Sequence, residues 1–254
     1  LFINNKGLYS KFFSIRYRTI ASVFFFMEII KVIVDGRGGT GKSTMLQSLI
    51  KGNFIDNTRI TIGVNFFTKD YFLLDHEVRA QFWDLGGVCR FDFLRSNYYK
   101  GAHSCVLVGD LTRPNTFEEL NYFISLAREV NLTSDQIILV ANKTDLFDCR
   151  IVDPDYLRLI MEKYHLECLI ETSARFRDNL EIVFELAILI GLRTKGKITE
   201  EEYQDHREFL ERRIQSVHDE LYNTRKIIRK CWNCSRPLYF SEFSSTNASL
   251  SKER

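Results

Sequence analysis

Gly36-Arg37-Gly38-Gly39-Thr40-Gly41-Lys42-Ser43 fits the spacing G-x-x-x-x-G-K-S/T and stands between an apolar run at 29–34 and a helical pattern at 42–51. That setting makes the match informative. Glycines let the chain curl until consecutive backbone N–H groups point at phosphate oxygens, and the helix that follows adds the positive end of its dipole. Lys42 supplies a point charge for terminal phosphates, the Ser43 hydroxyl is a ligand for Mg²⁺, and Thr40 and Thr44 flank them in the loop and first helical turn. The loop alone does not separate a GTPase from an ATPase or a nucleotide kinase.

Outward from this loop, short apolar runs alternate with longer amphipathic ones from residue 28 to about residue 193, the texture of an α/β domain. Strands are predicted at 29–34, 64–72, 78–84, 105–110, 136–141 and 167–171, and helices at 42–51, 91–99, 116–130, 154–164 and 179–192. The short connection Leu74-Asp75-His76-Glu77 predicts an antiparallel hairpin at one sheet edge. The other strands, each followed by a helix, are expected to run parallel with right-handed crossovers, and ligands bind beyond their carboxyl ends.

The base-reading elements lie where that rule puts them. Asn142-Lys143-Thr144-Asp145 follows the apolar run Ile137-Ile138-Leu139-Val140-Ala141. A carboxylate at Asp145 can accept from both N1–H and the 2-amino group of guanine. Adenine lacks that pair of donors, so the wrong base leaves a carboxylate unsatisfied. Glu171-Thr172-Ser173-Ala174 follows the next strand and offers backbone N–H groups, at Ser173 and Ala174, to the guanine carbonyl.

These stretches, with Thr61-Ile62-Gly63-Val64-Asn65-Phe66, Trp83-Asp84-Leu85-Gly86-Gly87 and Ser96-Asn97-Tyr98-Tyr99-Lys100-Gly101-Ala102, make residues 28–193 similar to a small GTPase of the Ras superfamily, closest to its Rab-like branch. The resemblance implies an α/β P-loop NTPase fold: a six-stranded, mostly parallel sheet with one antiparallel edge strand and flanking helices, to which the sequence after residue 196 adds a C-terminal helix. It implies a signalling switch, of the kind found in vesicle trafficking, that binds GTP or GDP with Mg²⁺ and orders two loops, at 54–63 and 86–97, for effector and regulatory proteins. Residue by residue, Thr61 matches the threonine that completes the Mg²⁺ shell in the GTP state. Asp84 matches the acid that reaches Mg²⁺ through water, and Gly87 the glycine whose N–H touches the γ-phosphate. Phe54 sits where an aromatic ring meets guanine, with the stem of Lys143 on the other face. Lys42, Thr61 and Gly87 are thus expected at the reacting phosphate, Ser43, Thr61 and Asp84 at the metal, and Gly36, Gly38, Gly39, Gly41 and Asn142 among the nucleotide contacts.

Two departures stand out. Where the family carries the water-orienting glutamine, this chain has Val88, which neither accepts from the attacking water nor donates to developing charge. Tight GTP binding with slow intrinsic hydrolysis is the expectation; the alternative is a hydrolysis-deficient GTP-binding scaffold. Arg37 is expected to be solvated charge rather than a catalytic group. The second departure is the C-terminus, which ends Ser251-Lys252-Glu253-Arg254 and carries no prenylation signal. Instead Cys231-Trp232-Asn233-Cys234 follows a basic stretch. One C-x-x-C is half of a zinc site. Two ordinary thiols are the expectation, with zinc shared across a dimer or a palmitoylated patch as the alternatives.

The remaining regions bound the reading. A net charge of +2 gives no whole-chain argument for nucleic acid or membrane binding. The six cysteines do not form the framework of a small secreted domain, and Cys89, Cys105, Cys149 and Cys168 are expected to be buried thiols. Residues 1–26 read as an upstream or non-native extension before Met27, with a basic, aromatic membrane-surface anchor as the alternative. The GTPase domain is set at 27–193. Thr199 and Glu202 open a helical extension over 198–230 with an imperfect heptad seam, expected to pack back on the domain. A disordered tail, 231–254, follows. The setting expected is cytoplasmic, with membrane contact only at the periphery.

Overall fold

The structure, a computed structural model, describes residues 27–55, 61–87 and 92–228. The readings of residues 1–26, Val88, Cys89, the C-x-x-C at Cys231 and Cys234, and the tail lie outside the described residues.

Six strands form one sheet in the order β2-β3-β1-β4-β5-β6. They are β1 (Glu28–Asp35), β2 (Val64–Leu73), β3 (His76–Leu85), β4 (Ser104–Asp110), β5 (Ile137–Asn142) and β6 (Cys168–Thr172). Only β2 and β3 pair antiparallel, with Phe66 opposite Trp83 and Leu73 opposite His76; the other neighbours are parallel. The hairpin turn is tighter than the sequence suggested. Leu74 and Asp75 alone form it, both with positive φ (48° and 62°), and β3 already begins at His76. Paired positive φ is the primed two-residue turn that matches the twist of its strands.

Side-chain alternation divides the core into two layers. Ile30, Val32 and Val34 of β1 pack on one face with α1 (Lys42–Lys51) and α6 (Leu180–Thr194). Ile33, Cys105 and Leu107 pack on the other with α2 (Asp92–Tyr99), α4 (Leu120–Glu129) and α5 (Pro154–Tyr164). Strands β4 and β5 are buried at every residue, as expected of central parallel strands covered on both faces.

The helix expected at 116–130 is two pieces, the one-turn α3 (Asn115–Glu118) and α4. At Glu119 the ladder tightens, with ψ at −5° and Tyr122 N–H donating to the Glu119 carbonyl three residues back. Helix α5 starts on Asp153, whose carboxylate accepts from Tyr156 N–H at 2.7 Å, followed by Pro154 in the first turn. Helix α7 (Glu200–Ile228) opens on the reciprocal Thr199–Glu202 capping box, and its Tyr203 and Leu210 are buried in the α6 layer. Among the described residues no helix is long and apolar enough to cross a membrane. The cysteines divide: Cys105 is buried, Cys168 half-buried with its thiol pushed up by burial to about 12, while Cys149 is exposed, contrary to expectation, at the end of a 3₁₀ turn over Thr144–Cys149.

Candidate nucleotide site at the strand ends

The loop between β1 and α1 is held by its own lysine. Lys42 Nζ donates to the carbonyl of Gly36 at 2.7 Å and to that of Arg37 at 2.9 Å. Burial lowers the Lys42 ammonium to about 8, against the opposing pull of Asp35 and Asp84. Gly41 caps α1 in the left-handed region (φ 99°), and a Cβ there would lie 2.4 Å from Asn142 Nδ2, so the close approach of this turn to β5 requires glycine.

Next to Lys42, three side-chain oxygens converge. Ser43 Oγ donates to Asp84 Oδ2 at 2.5 Å and is 2.6 Å from Thr61 Oγ1. Asp84 Oδ1 is buried and without a hydrogen-bond partner among the described residues. Burial pushes the Asp84 carboxyl up, while the Ser43 hydrogen bond, the charge of Lys42 and the Asn65 side-chain amide oppose it. Hydroxyls and a carboxylate are the hard oxygen donors that Mg²⁺ takes, and an orphaned buried carboxylate oxygen is the group a cation would satisfy. The residues present fit the ion.

The two loop ends are stacked on one another. Gly86 N–H donates to the Gly63 carbonyl at 2.8 Å. Gly87 lies flat on the phosphate loop: a Cβ there would be 2.1 Å from Gly38 N and 2.6 Å from the Arg37 carbonyl carbon. The glycine is required by this contact.

On the base side Asn142 serves as a staple. Its Nδ2 donates to the Thr40 carbonyl at 2.8 Å, and its Oδ1 accepts from Thr172 Oγ1 at 3.0 Å and Ala174 N–H at 3.3 Å. Ser173 Oγ donates to Asp145 Oδ1 at 2.7 Å, joining the two base-reading loops. Lys143 stands in the left-handed region (φ 74°) with Nζ 2.7 Å from Asp110 Oδ2. Burial works against ionisation of Asp110, yet hydrogen bonds from Lys143 and Thr112 outweigh it and hold the carboxyl below its ordinary range. Thr44 is half-buried in the first turn of α1, whereas Phe54 is exposed beyond the Gly52 cap of that helix.

A six-stranded sheet of this order, with a glycine loop, an oxygen cluster and two stapled base-side loops at its carboxyl end, agrees with sequence comparison. The Ras family model matches residues 31–190. The chain belongs to the Ras family. Within it, similarity runs to Rab proteins. The human Ras-related protein Rab-19 is 33% identical over 161 residues, covering 63% of this chain and 74% of the relative. The Arabidopsis thaliana Ras-related protein RABA5e is 35% identical over 164 residues (63% and 73%), and human Ras-related protein Rab-25 is 33% identical over 160 (63% and 75%). This is therefore a Rab-like, GTP-binding small GTPase of the Ras superfamily, with the mostly parallel P-loop sheet expected of one.

For this Ras-family chain, several side chains make contacts at the site that no motif marks, although Tyr99 and Arg37 themselves lie within quoted stretches. Asp35, Arg95 and Tyr99 form a buried network under the phosphate loop. Arg113 donates to the Gly38 carbonyl at 3.2 Å and to Asp110 at 2.8 Å. Arg37 is a partly exposed, solvated charge as expected, and it pairs with Glu119 at 2.6 Å. A charge ending an apolar strand was a visible signal for Asp35 and Asp110; nothing local marks Arg95 or Arg113. Next to the loops an aromatic surface forms, with Phe66 edge-on to Trp83 at 4.6 Å and Trp83 at 6.1 Å from Tyr98.

Proposed function

We propose that this chain is a GTP-driven switch that binds GTP or GDP with Mg²⁺ and hydrolyses GTP slowly. The observation that carries the reading is the cluster of Ser43, Thr61 and Asp84 oxygens beside Lys42, with Asp84 Oδ1 left unsatisfied. Ser43, Thr61 and Asp84 would hold the ion, which when bound neutralises charge on the phosphate oxygens. Backbone N–H groups of Gly38, Gly39, Thr40 and Gly41, with those of Lys42, Ser43 and Thr44 at the helix start, bind and orient the phosphates. Asp145 selects guanine, Ser173 and Ala174 shape its rim, and Phe54 and the Lys143 stem flank the ring. Thr61 and Gly87 respond to the terminal phosphate, so the surface they border changes between states. The aromatic group Phe66, Trp83 and Tyr98, with Phe66 60% exposed, supports effector and regulatory proteins as the readers of that surface. The setting proposed is cytoplasmic, with membrane contact at the periphery.

Slow turnover rests on Val88, which leaves positioning and electrostatics intact but removes the orienter of the attacking water. Purified protein should retain GTP or GDP in preference to ATP, and Val88→Gln should speed single-turnover hydrolysis by about tenfold or more. Hydrolysis near the uncatalysed rate in both proteins would favour the scaffold reading. Equal retention of ATP would sink the guanine assignment.

A further inference from the structure

The carboxylate of Asp35, the last residue of β1, is fully buried directly beneath the phosphate loop. Its Oδ1 accepts from Gly36 N–H at 2.7 Å and from Arg95 Nη1 at 2.5 Å, and its Oδ2 accepts from the Tyr99 hydroxyl at 2.8 Å. Arg95 and Tyr99 are four residues apart on α2, so they share one helix face. Arg95 is 6% exposed, and its guanidinium also lies 5.4 Å from the Phe123 ring. The other arm of the same guanidinium, Nη2, donates to the Gly86 carbonyl at 2.7 Å.

A buried ion pair is a poor source of stability, since apolar residues of similar volume do as well or better. Its distinctive property is geometric: a planar, rigid fork holds two acceptors in a fixed relation. Here one acceptor belongs to the root of the phosphate loop and the other to the Gly86–Gly87 peptide. That peptide is planar and trans, so drawing its carbonyl to Arg95 turns its N–H, that of Gly87, to the opposite side. Gly87 is at the same time pressed on Gly38.

We propose that Arg95, anchored by Asp35, is a positioning residue that fixes the Gly86–Gly87 peptide so that the Gly87 N–H is offered to the terminal phosphate of GTP. The inference rests on the reading of this site as a GTP switch. The clamp spares the GTP state part of the ordering cost of its second loop, because a preorganised donor is not ordered again on binding. It therefore raises affinity for the triphosphate relative to GDP, which has no terminal phosphate to meet that N–H. Its other end, through Asp35 and the Gly36 N–H, ties this preference to the position of the phosphate loop itself.

Affinities for GDP and for a non-hydrolysable GTP analogue, measured by displacement of a fluorescent nucleotide, test it in two variants. D35N/R95M/Y99F removes both charges of the pair and keeps an amide oxygen to accept the Gly36 N–H. Lys42 loses one of its two opposing carboxylates and keeps Asp84, so the readout is the ratio of the two affinities. The analogue should weaken by about tenfold more than GDP, the worth of one charge-assisted hydrogen bond. R95K keeps the charge against Asp35, but a single ammonium does not reproduce the two-armed fork, so its analogue-to-GDP ratio should fall in the same direction. If the triple variant does not fold, R95K decides. An unchanged ratio in a folded variant, or equal weakening of both nucleotides, would overturn the clamp while leaving the switch intact. Failure of the wild-type protein to bind either guanine nucleotide would overturn both.

Discussion

At the scale of single residues, the site is governed by charges taken out of water and by the groups that compensate them. Lys42 is the clearest case, with burial bringing its ammonium from 10.5 to about 8. Between these values the unfolded chain holds a proton that the folded chain has released. The stability of the nucleotide-free fold therefore gains from this group as pH rises through that window. Binding runs the other way. Phosphates need the charged ammonium, so above about pH 8 binding must take up a proton, and affinity should fall by up to about tenfold per pH unit. Calorimetry with GDP in buffers of different ionisation heat should show little uptake near about pH 7 and clear uptake at about pH 8.5; a flat profile would refute the role of Lys42 burial. Part of this site was legible from the chain alone. Lys42, Ser43 and Asp145 sit in motifs whose spacing carries their chemistry, and the structure brings Ser43, Thr61 and Asp84 together although they are far apart in sequence. Asn142 has a motif position as well, but its staple across Thr40, Thr172 and Ala174 depends on three loops meeting, which no local pattern encodes. Arg95 and Arg113 were invisible for the same reason: a basic residue on a helix or in a turn reads as a solvated face until the fold supplies its acceptors.

At the scale of elements, period and punctuation placed every strand, because the alternation that splits the core is written in β1, β4 and β5 themselves. The break at Glu119 was not legible. Residues 116–130 contain no glycine or proline, and the tightening at Glu119 accompanies an ion pair with Arg37 from a distant loop. The hairpin was predicted, but its turn was not, since Leu74 is a poor residue for a positive φ. Such a conformation costs about 1 kcal/mol for an ordinary side chain. Asn-Gly is the favoured pair for this turn, so L74N/D75G should stabilise the protein by about 1 kcal/mol, read as a raised urea midpoint with unchanged slope. The Leu74 side chain packs partly on the core, which sets a ceiling on the gain. A lowered midpoint would show that this packing outweighs the turn strain. Nucleotide affinity should not move, because the turn joins the strand ends remote from the phosphate loop.

At the scale of the molecule, the question is how α7 relates to the switch. Helix α6 leaves the base-side loop at Leu180 and runs 15 residues, about 22 Å, toward the opposite end of the sheet. There Lys195 meets Glu28, the first residue of β1, at 2.6 Å. Helix α7 then turns back along it, for Tyr203 stacks under Arg193 at 4.0 Å while Arg213 reaches Glu185 at 3.0 Å. The pairing is antiparallel, and it buries Tyr203 and Leu210 to 1% exposure. The heptad-like spacing of these two residues is thus used within the chain, as one more layer of its own core. Tyr203→Ala removes a fully buried ring and the partner of Arg193, and should cost about 3 kcal/mol or more in stability, measured by denaturant unfolding of the full chain. Because Tyr203 packs near the end of α6 away from the phosphate loop, the preference for guanine over adenine nucleotides should be unchanged in the folded variant. The two readouts separate the roles that α7 can have. A loss of stability with nucleotide preference intact makes it a structural layer; unchanged stability with altered nucleotide exchange would make it a lever on the switch, and the packing of Tyr203 would then have to transmit along the whole of α6.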